Sequence, residues 1–279
     1  MLNTVILAAS LLVDGWGAAS TFCTLRGTDV KESSGIAASH LTPNAYFTHN
    51  DSGDRARFFR FNNRGQVTGT YTLPTAKAVD WEDMASRLQQ RRSYLYIGDI
   101  GDNSKKRPNV VVYRVQEPAG GSESISKIDT YTLTYPNGAR DCEALIVDPA
   151  TGDLYLVTKV GSGQSEVYFV AAPSKSGSFA LTLLGKVTVD TGGLGGTMVT
   201  AGDASPDGKY VALRTYSGAV EFRVGARFRD WWKSSPNRVP VMAAFQSEAI
   251  CYSRDSGRIL TTSEGSPCPV ATISREKTT

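Results

Sequence analysis

Short apolar runs recur along the whole chain, separated by polar stretches rich in Gly, Pro, Asp and Asn, a pattern of many short strands joined by turns. No stretch reads as a helix longer than a turn or two. The runs are organised into a repeat. Five segments share one layout: a polar or acidic lead-in, a few apolar or small residues, a turn, a strand, a polar loop and another strand. The lead-ins are 32–37, 80–85, 141–146, 201–205 and 246–251. Anchors at Ile36, Met84, Leu145, Ala204 and Ile250 are spaced by 48, 61, 59 and 46 residues. Four-stranded propeller blades repeat every 40–50 residues or so, and two of these segments carry modest insertions.

Second strands are expected at 45–48, 94–97, 154–157, 210–213 and 258–261, several of them preceded by turn signals such as Pro206-Asp207-Gly208. Third strands follow at 57–61, 110–114, 166–170, 219–223 and 270–273, and outer strands at 68–73, 128–134, 181–189 and 239–245. The fifth segment runs out of chain after its third strand. An open edge is a liability, and residues 21–25 can supply the missing partner. The pattern therefore predicts an all-β fold, a five-bladed β-propeller whose N-terminal strand completes the last blade. The basic, aromatic segment 227–233 reads as an outer-strand or loop decoration rather than a nucleic-acid patch.

Composition narrows the class. The 279 residues are 41% hydrophobic and 20% charged, as in ordinary globular proteins, and one β domain can take up this length. A net charge of +3 is too small to argue for attraction to nucleic acid or a membrane surface. Val5 to Val13 is an apolar run of signal-peptide length, and Gly17-Ala18-Ala19-Ser20 supplies small residues suited to cleavage. Residues 1–20 are accordingly expected to be a signal peptide, although the n-region lacks Lys and Arg and the run also suits a buried first strand. Residues 21–279 then form one propeller domain, secreted and monomeric. No other segment approaches the length needed to span a bilayer. Four cysteines, Cys23, Cys142, Cys251 and Cys268, suit an oxidising compartment. Cys23 and Cys268 fall on neighbouring strands of the closing blade, and a disulfide between them is expected to staple the ring.

Lead-ins and the loops after second strands lie at one end of such a ring and converge on a central funnel. At one equivalent lead-in position stand Ser34, Glu82, Glu143, Gly202 and Glu248. Three glutamates that converge need raised pKa values or a cation among them. Oxygen ligands from several directions suit Ca²⁺, with Ser34, Glu82, Glu143 and Glu248 as the expected metal set. Zinc is disfavoured, because no His or Cys cluster has the right spacing. The loops add His49, Asp99 and Asp102 as candidate catalytic groups, and Asp51, Lys159, Arg214 and Glu264 as candidate ligand contacts. Polar residues at blade starts also bond to neighbouring blades for purely structural reasons. Asp80 and Asp141 read as turn caps, and Trp81 as core.

The segments 80–83, 96–103, 141–144 and 205–208 resemble a family of secreted propeller proteins of mostly unassigned function. The blade starts are also similar, more distantly, to those of the calcium-activated nucleotidases, the soluble apyrases. That resemblance implies a five-bladed propeller with one Ca²⁺ in its channel, held at positions that carry Ser, Glu, Glu, Ser and Glu. Gly202 departs from that pattern, so a ligand there would be a backbone carbonyl, a water or Asp203. The nucleotide-binding loops of that family have no match here. Three functions stay open: a Ca²⁺-dependent hydrolase of nucleotides, phosphate esters or other anionic substrates; a binding module for a small molecule or glycan, with Tyr216 adding sugar contacts; and a glycan-cleaving enzyme with paired carboxylates.

Overall fold

The computed structural model describes residues 15–26, 29–161, 163–242 and 246–276; the apolar run from Val5 to Val13 lies outside them. Five antiparallel sheets close into a five-bladed β-propeller. The innermost strands are Ser33–Ala38, Trp81–Gln89, Cys142–Val147, Val199–Ala204 and Ser247–Tyr252, and each touches the next around a closed circle. They carry no alternation of buried and exposed positions because both of their faces are covered. Ala144 and Ile146 pack toward the fourth blade, while Leu145 and Val147 pack toward the second. Each of the five gaps between blades holds one such apolar cluster.

The N-terminal strand Ser20–Leu25 pairs antiparallel with Cys268–Ser274 and closes the fifth blade. Two outer edges are covered by parallel additions. Glu123–Ser124 lies along Val67–Thr72 of the first blade, and Gly177–Ala180 along Asp129–Thr134 of the second. Both additions come from linkers on their way to the next outer strand, which disposes of edges that would otherwise recruit other chains.

Four expectations need correction. The outer strand of the fourth blade is Pro236–Val239, not 239–245, and residues 243–245 lie outside the described set. The segment expected as a strand or loop decoration is a 3₁₀-helix, Phe228–Lys233, which buries Trp231 among the side chains between the third and fourth blades. The Cys23–Cys268 disulfide is not formed; all four cysteines are buried free thiols. The two strands do pair, but Cys23 stands opposite Val270 and Cys268 opposite Leu25, a diagonal rather than a facing arrangement. Burial pushes the Cys23 and Cys268 thiols up to about 11, so both are weak nucleophiles.

The fourth concerns the segment before the first strand. Trp16 is 1% exposed, and its indole N–H donates to Glu221 at 3.2 Å. Arg275 stacks over the Trp16 ring at 4.1 Å and pairs with Glu221 at 2.6 Å. Gly17 N–H donates to Ser274 O at 2.9 Å. The propeller thus begins before residue 21, because Trp16 fills the gap between the fourth and fifth blades.

Two buried aspartates act as cross-blade clamps at the hub. Asp83 Oδ2 accepts the N–H groups of Leu145 in the third blade (2.9 Å) and Gly202 in the fourth (3.0 Å), and Oδ1 accepts Met84 N–H at 2.8 Å. Asp203 accepts Tyr252 N–H of the fifth blade at 2.8 Å and Ala204 N–H at 2.9 Å. Burial outweighs these donors and pushes the Asp203 carboxyl up to about 8.

Candidate functional site

Every innermost strand carries a β-bulge near its start, and the register skips one residue in each: Ser34, Glu82, Glu143, Thr200 and Glu248. A bulge turns a side chain out of the ladder direction, and here the same device is repeated five times around one axis. The fourth member is Thr200, where the sequence pattern pointed to Gly202. A slip of two residues preserves which face each side chain takes, so hydrophobic patterning does not register it. Gly202 lies further along the strand, where a Cβ would sit 2.8 Å from Leu213 and 3.1 Å from Ile146. Asp203, the suggested substitute ligand, is consumed by its clamp. The hydroxyl members of the ring stitch blades together. Ser34 Oγ donates to Glu82 O at 2.7 Å, and Thr200 Oγ1 donates to Ser247 O at 3.0 Å.

The three glutamates are all buried, but they have different neighbours. Glu82 joins Asp51 and Asp80 in a cluster whose carboxylate oxygens lie within 4.8 Å of one another, and this cluster could hold a metal ion. Asp51 follows the second strand of the first blade, and its N–H donates to Glu32 O at 2.9 Å. Asp80 precedes the Trp81 strand, and its N–H donates to Asp99 Oδ1 at 3.0 Å. Gly101 closes over the cluster: a Cβ there would lie 2.1 Å from Glu82 Oε1 and 2.5 Å from Asp80 Oδ2. Burial, followed by repulsion from Glu143, Asp51 and Asp80, holds the Glu82 carboxyl well above its ordinary range. Burial and Asp51 push Asp80 up to about 6. Such crowding of like charges is what a bound cation relieves.

Glu143 is engaged differently. The Lys159 ammonium is ion-paired with Glu143 Oε1 and donates to the Tyr216 hydroxyl at 2.9 Å. Glu143 Oε2 is buried without a partner among the described residues. Glu248 is pushed up to about 7 by burial and by Glu264. Arg214 is fully buried; burial lowers its guanidinium to about 10, with Glu248 opposing. Its Nη2 donates to Met242 O at 3.3 Å, while Nε and Nη1 have no partner among the described residues. Of the expected metal set, Glu82 alone belongs to the compact acidic cluster. Asp80, read from sequence as a cap, and Asp51, read as a ligand contact, complete it. Glu264 stands half-buried at the rim, its N–H donating to Gln246 O at 3.0 Å.

Asp99 and Asp102 brace neighbouring loops, and His49 lies buried. Asp99 pairs with Arg107 at 2.8 Å and accepts the Asp80 and Val79 N–H groups. Asp102 Oδ2 accepts Arg107 N–H at 2.7 Å, and Asp102 N–H donates to Asp141 Oδ1 at 3.1 Å. His49 is shut off from solvent, edge-on to Trp81 at 5.5 Å, with Nδ1 donating to Asn50 O at 2.9 Å. Its Nε2 has no partner among the described residues and presses toward Gly35, where a Cβ would lie 2.4 Å away. Burial lowers its pKa.

A cavity of about 200 Å³ has a wall that includes Lys105, Arg140, Lys159 and Lys186 together with Asp141 and Glu166. Arg140 pairs with Glu166 at 2.6 Å; Lys105 and Lys186 have no ion-pair partner among the described residues. Lys159 links this wall to Glu143 through their ion pair, and the charges of Glu143 and Lys159 both act on Glu82. Lys105, Arg140 and Lys186 escaped the sequence reading because they lie far apart in the chain, share no motif and do not sit at repeat positions.

No protein-family model and no curated protein matches this chain. Among solved structures, a gluconolactonase from Xanthomonas campestris matches over 89% of this chain and 87% of its own, with a TM-score of 0.48 and 13% sequence identity.

Proposed function

We propose that this propeller is a secreted, Ca²⁺-dependent hydrolase of small anionic substrates such as phosphate esters, working at the mouth of its central channel. The observation that carries the reading is the compact Asp51–Asp80–Glu82 cluster, together with a cationic cavity whose Lys159 pairs with Glu143 and whose charge also acts on Glu82. Carboxylate oxygens alone, with no accessible imidazole or thiolate, suit Ca²⁺ over zinc. When bound, such an ion supplies Lewis-acid polarisation of a substrate oxygen and a more acidic water. The protein's own contribution is positioning. Lys105 and Lys186 hold the anionic group, and Lys159, fixed by Glu143 and Tyr216, neutralises charge at the edge of the cluster. Asp99 and Asp102 hold Asp80 and its loop in place rather than moving protons. Glu264, whose carboxylate makes no hydrogen bond among the described residues, is the rim group left to accept a proton. Export is supported by the apolar Val5–Val13 run and is tested by finding the protein in the culture medium.

A specific observation favours a second reading: Asp99 and Asp102 are committed to internal contacts and His49 is buried out of reach, which suits a module that binds an anionic small molecule or glycan without turning it over. One experiment separates the two. Protein stripped with EDTA is melted with and without added Ca²⁺, then assayed against a panel of phosphate esters. A Ca²⁺-dependent rise in Tm with chelator-sensitive turnover supports the hydrolase, and ligand binding without turnover supports the module. Absence of a Tm shift, with no bound metal on elemental analysis, rejects the metal site.

A further inference from the structure

A second polar cavity, of about 510 Å³, opens where the second blade meets the third, away from the residues of the channel mouth. Its wall includes Arg87, Arg92 and Arg114 together with Tyr94 and Tyr96, and no acidic side chain lines it. We infer that this cavity binds a tetrahedral oxyanion, a phosphate or sulfate group carried on a small organic body.

Each arginine keeps donor capacity in hand. Arg87 is 6% exposed and anchored by Nε to Pro149 O (3.2 Å) and Nη2 to Ala150 O (2.8 Å), which leaves Nη1 without a hydrogen bond among the described residues. Arg114 gives Nε and Nη2 to Asp129 and stacks on Tyr94 at 5.0 Å, which leaves its Nη1 free. Arg92 is exposed and makes no hydrogen bond or ion pair among the described residues. A guanidinium presents a planar fork matched to oxyanion geometry; Asp129 offsets Arg114, but Arg87 and Arg92 pair with no carboxylate among the described residues, and the spare donors of all three suit an anion.

The backbone supports the arrangement. The Trp81–Gln89 and Arg92–Asp99 strands run longer than the other hairpins and meet in a two-residue turn, Gln90 and Arg91, with φ of 47° and 67°. Turns of this kind favour Asn and Gly; here Gln90 and Arg91 take the two positive-φ positions, and the next strand starts with Arg92 at the cavity wall. Opposite, Gly152 has φ of 85°, and a Cβ there would lie 2.7 Å from Arg87 Nη1, so only glycine lets that guanidinium seat. The volume is enough for a sugar-phosphate-sized ligand, and Tyr94, partly exposed under Arg114, forms part of the wall.

Isothermal titration in EDTA with inorganic phosphate and with glucose 6-phosphate tests this on wild type, Arg92→Glu and Arg223→Glu, the last an exposed arginine of the fourth blade that lines neither cavity. The expected result is binding to wild type that falls at least about tenfold in Arg92→Glu and is unchanged in Arg223→Glu. Tighter binding of the ester identifies an esterified ligand, and equal binding identifies the free anion. No binding to wild type, full retention in Arg92→Glu, or an equal loss in Arg223→Glu overturns the inference. EDTA keeps the outcome independent of the Ca²⁺ reading.

Discussion

Replacing Asp83 by alanine tests how the hub is held together. The side chain is wholly buried, and its Oδ2 serves Leu145 N–H and Gly202 N–H from two different blades. Truncation to alanine leaves both cross-blade donors, and Met84 N–H, without an acceptor in a region closed to water. Each stranded buried donor costs about 1–3 kcal/mol, so the two cross-blade losses together amount to about 2–6 kcal/mol. Asp83→Asn keeps one oxygen, which can stay on the cross-blade pair, and it loses only the Met84 contact, worth about 1 kcal/mol. Urea unfolding at pH 7, followed by tryptophan fluorescence, reads both variants. The alanine variant should have a much lower midpoint than the asparagine variant, with the m-value unchanged. If the two variants unfold at the same urea concentration, or alanine is within about 0.5 kcal/mol of wild type, the clamp does not hold the blades and the reasoning fails.

Other consequences are as direct. Trp16→Ala should cost about 3–5 kcal/mol, from loss of a buried indole and its bond to Glu221, and a chain begun at residue 21 should be at least as unstable by thermal melt. Mass spectrometry of the exported protein should accordingly place any cleavage before Trp16. Gly101→Ala should displace the Glu82 carboxylate from its cluster and weaken Ca²⁺ binding at least tenfold by calorimetry, with little change in Tm of the stripped protein. Asp203 has a folded pKa of about 8 against an ordinary 3.8. Between those values the unfolded chain is ionised while the folded one keeps its proton, so stability falls as pH rises, with a slope of at most about 1.4 kcal/mol per pH unit. Asp203→Asn should flatten the denaturant midpoint over pH 4–8, and an unchanged profile would contradict a buried neutral carboxyl.

Much of the fold was legible because the blade repeat is written locally. Strand runs such as 94–97 and 154–157 and turns such as Pro206-Asp207-Gly208 need only nearest neighbours to be recognised, and the unpaired third strand of the fifth blade called for residues 21–25. Glu82, Glu143 and Glu248 were found at equivalent positions for the same reason, since a bulge recurs at the same place in each blade. Thr200 was missed because strand patterning is blind to a two-residue slip. Trp16 was assigned to a leader because composition describes small and apolar residues without saying what they pack against.

What the sequence by itself determined is the all-β class, the number of blades, the closing strand and four of the five residues at the hub bulges, Ser34, Glu82, Glu143 and Glu248. Only the tertiary structure decided which charges meet. It gave Glu143 to Lys159, gathered Asp51 and Asp80 around Glu82, turned Asp99 and Asp102 into braces, and left Cys23 and Cys268 as separate thiols. The physical reason is one of range. Strand and turn preferences act over a few residues. Ion pairing and burial depend on distances of a few ångströms between groups far apart in the chain, and these exist only once the ring has closed.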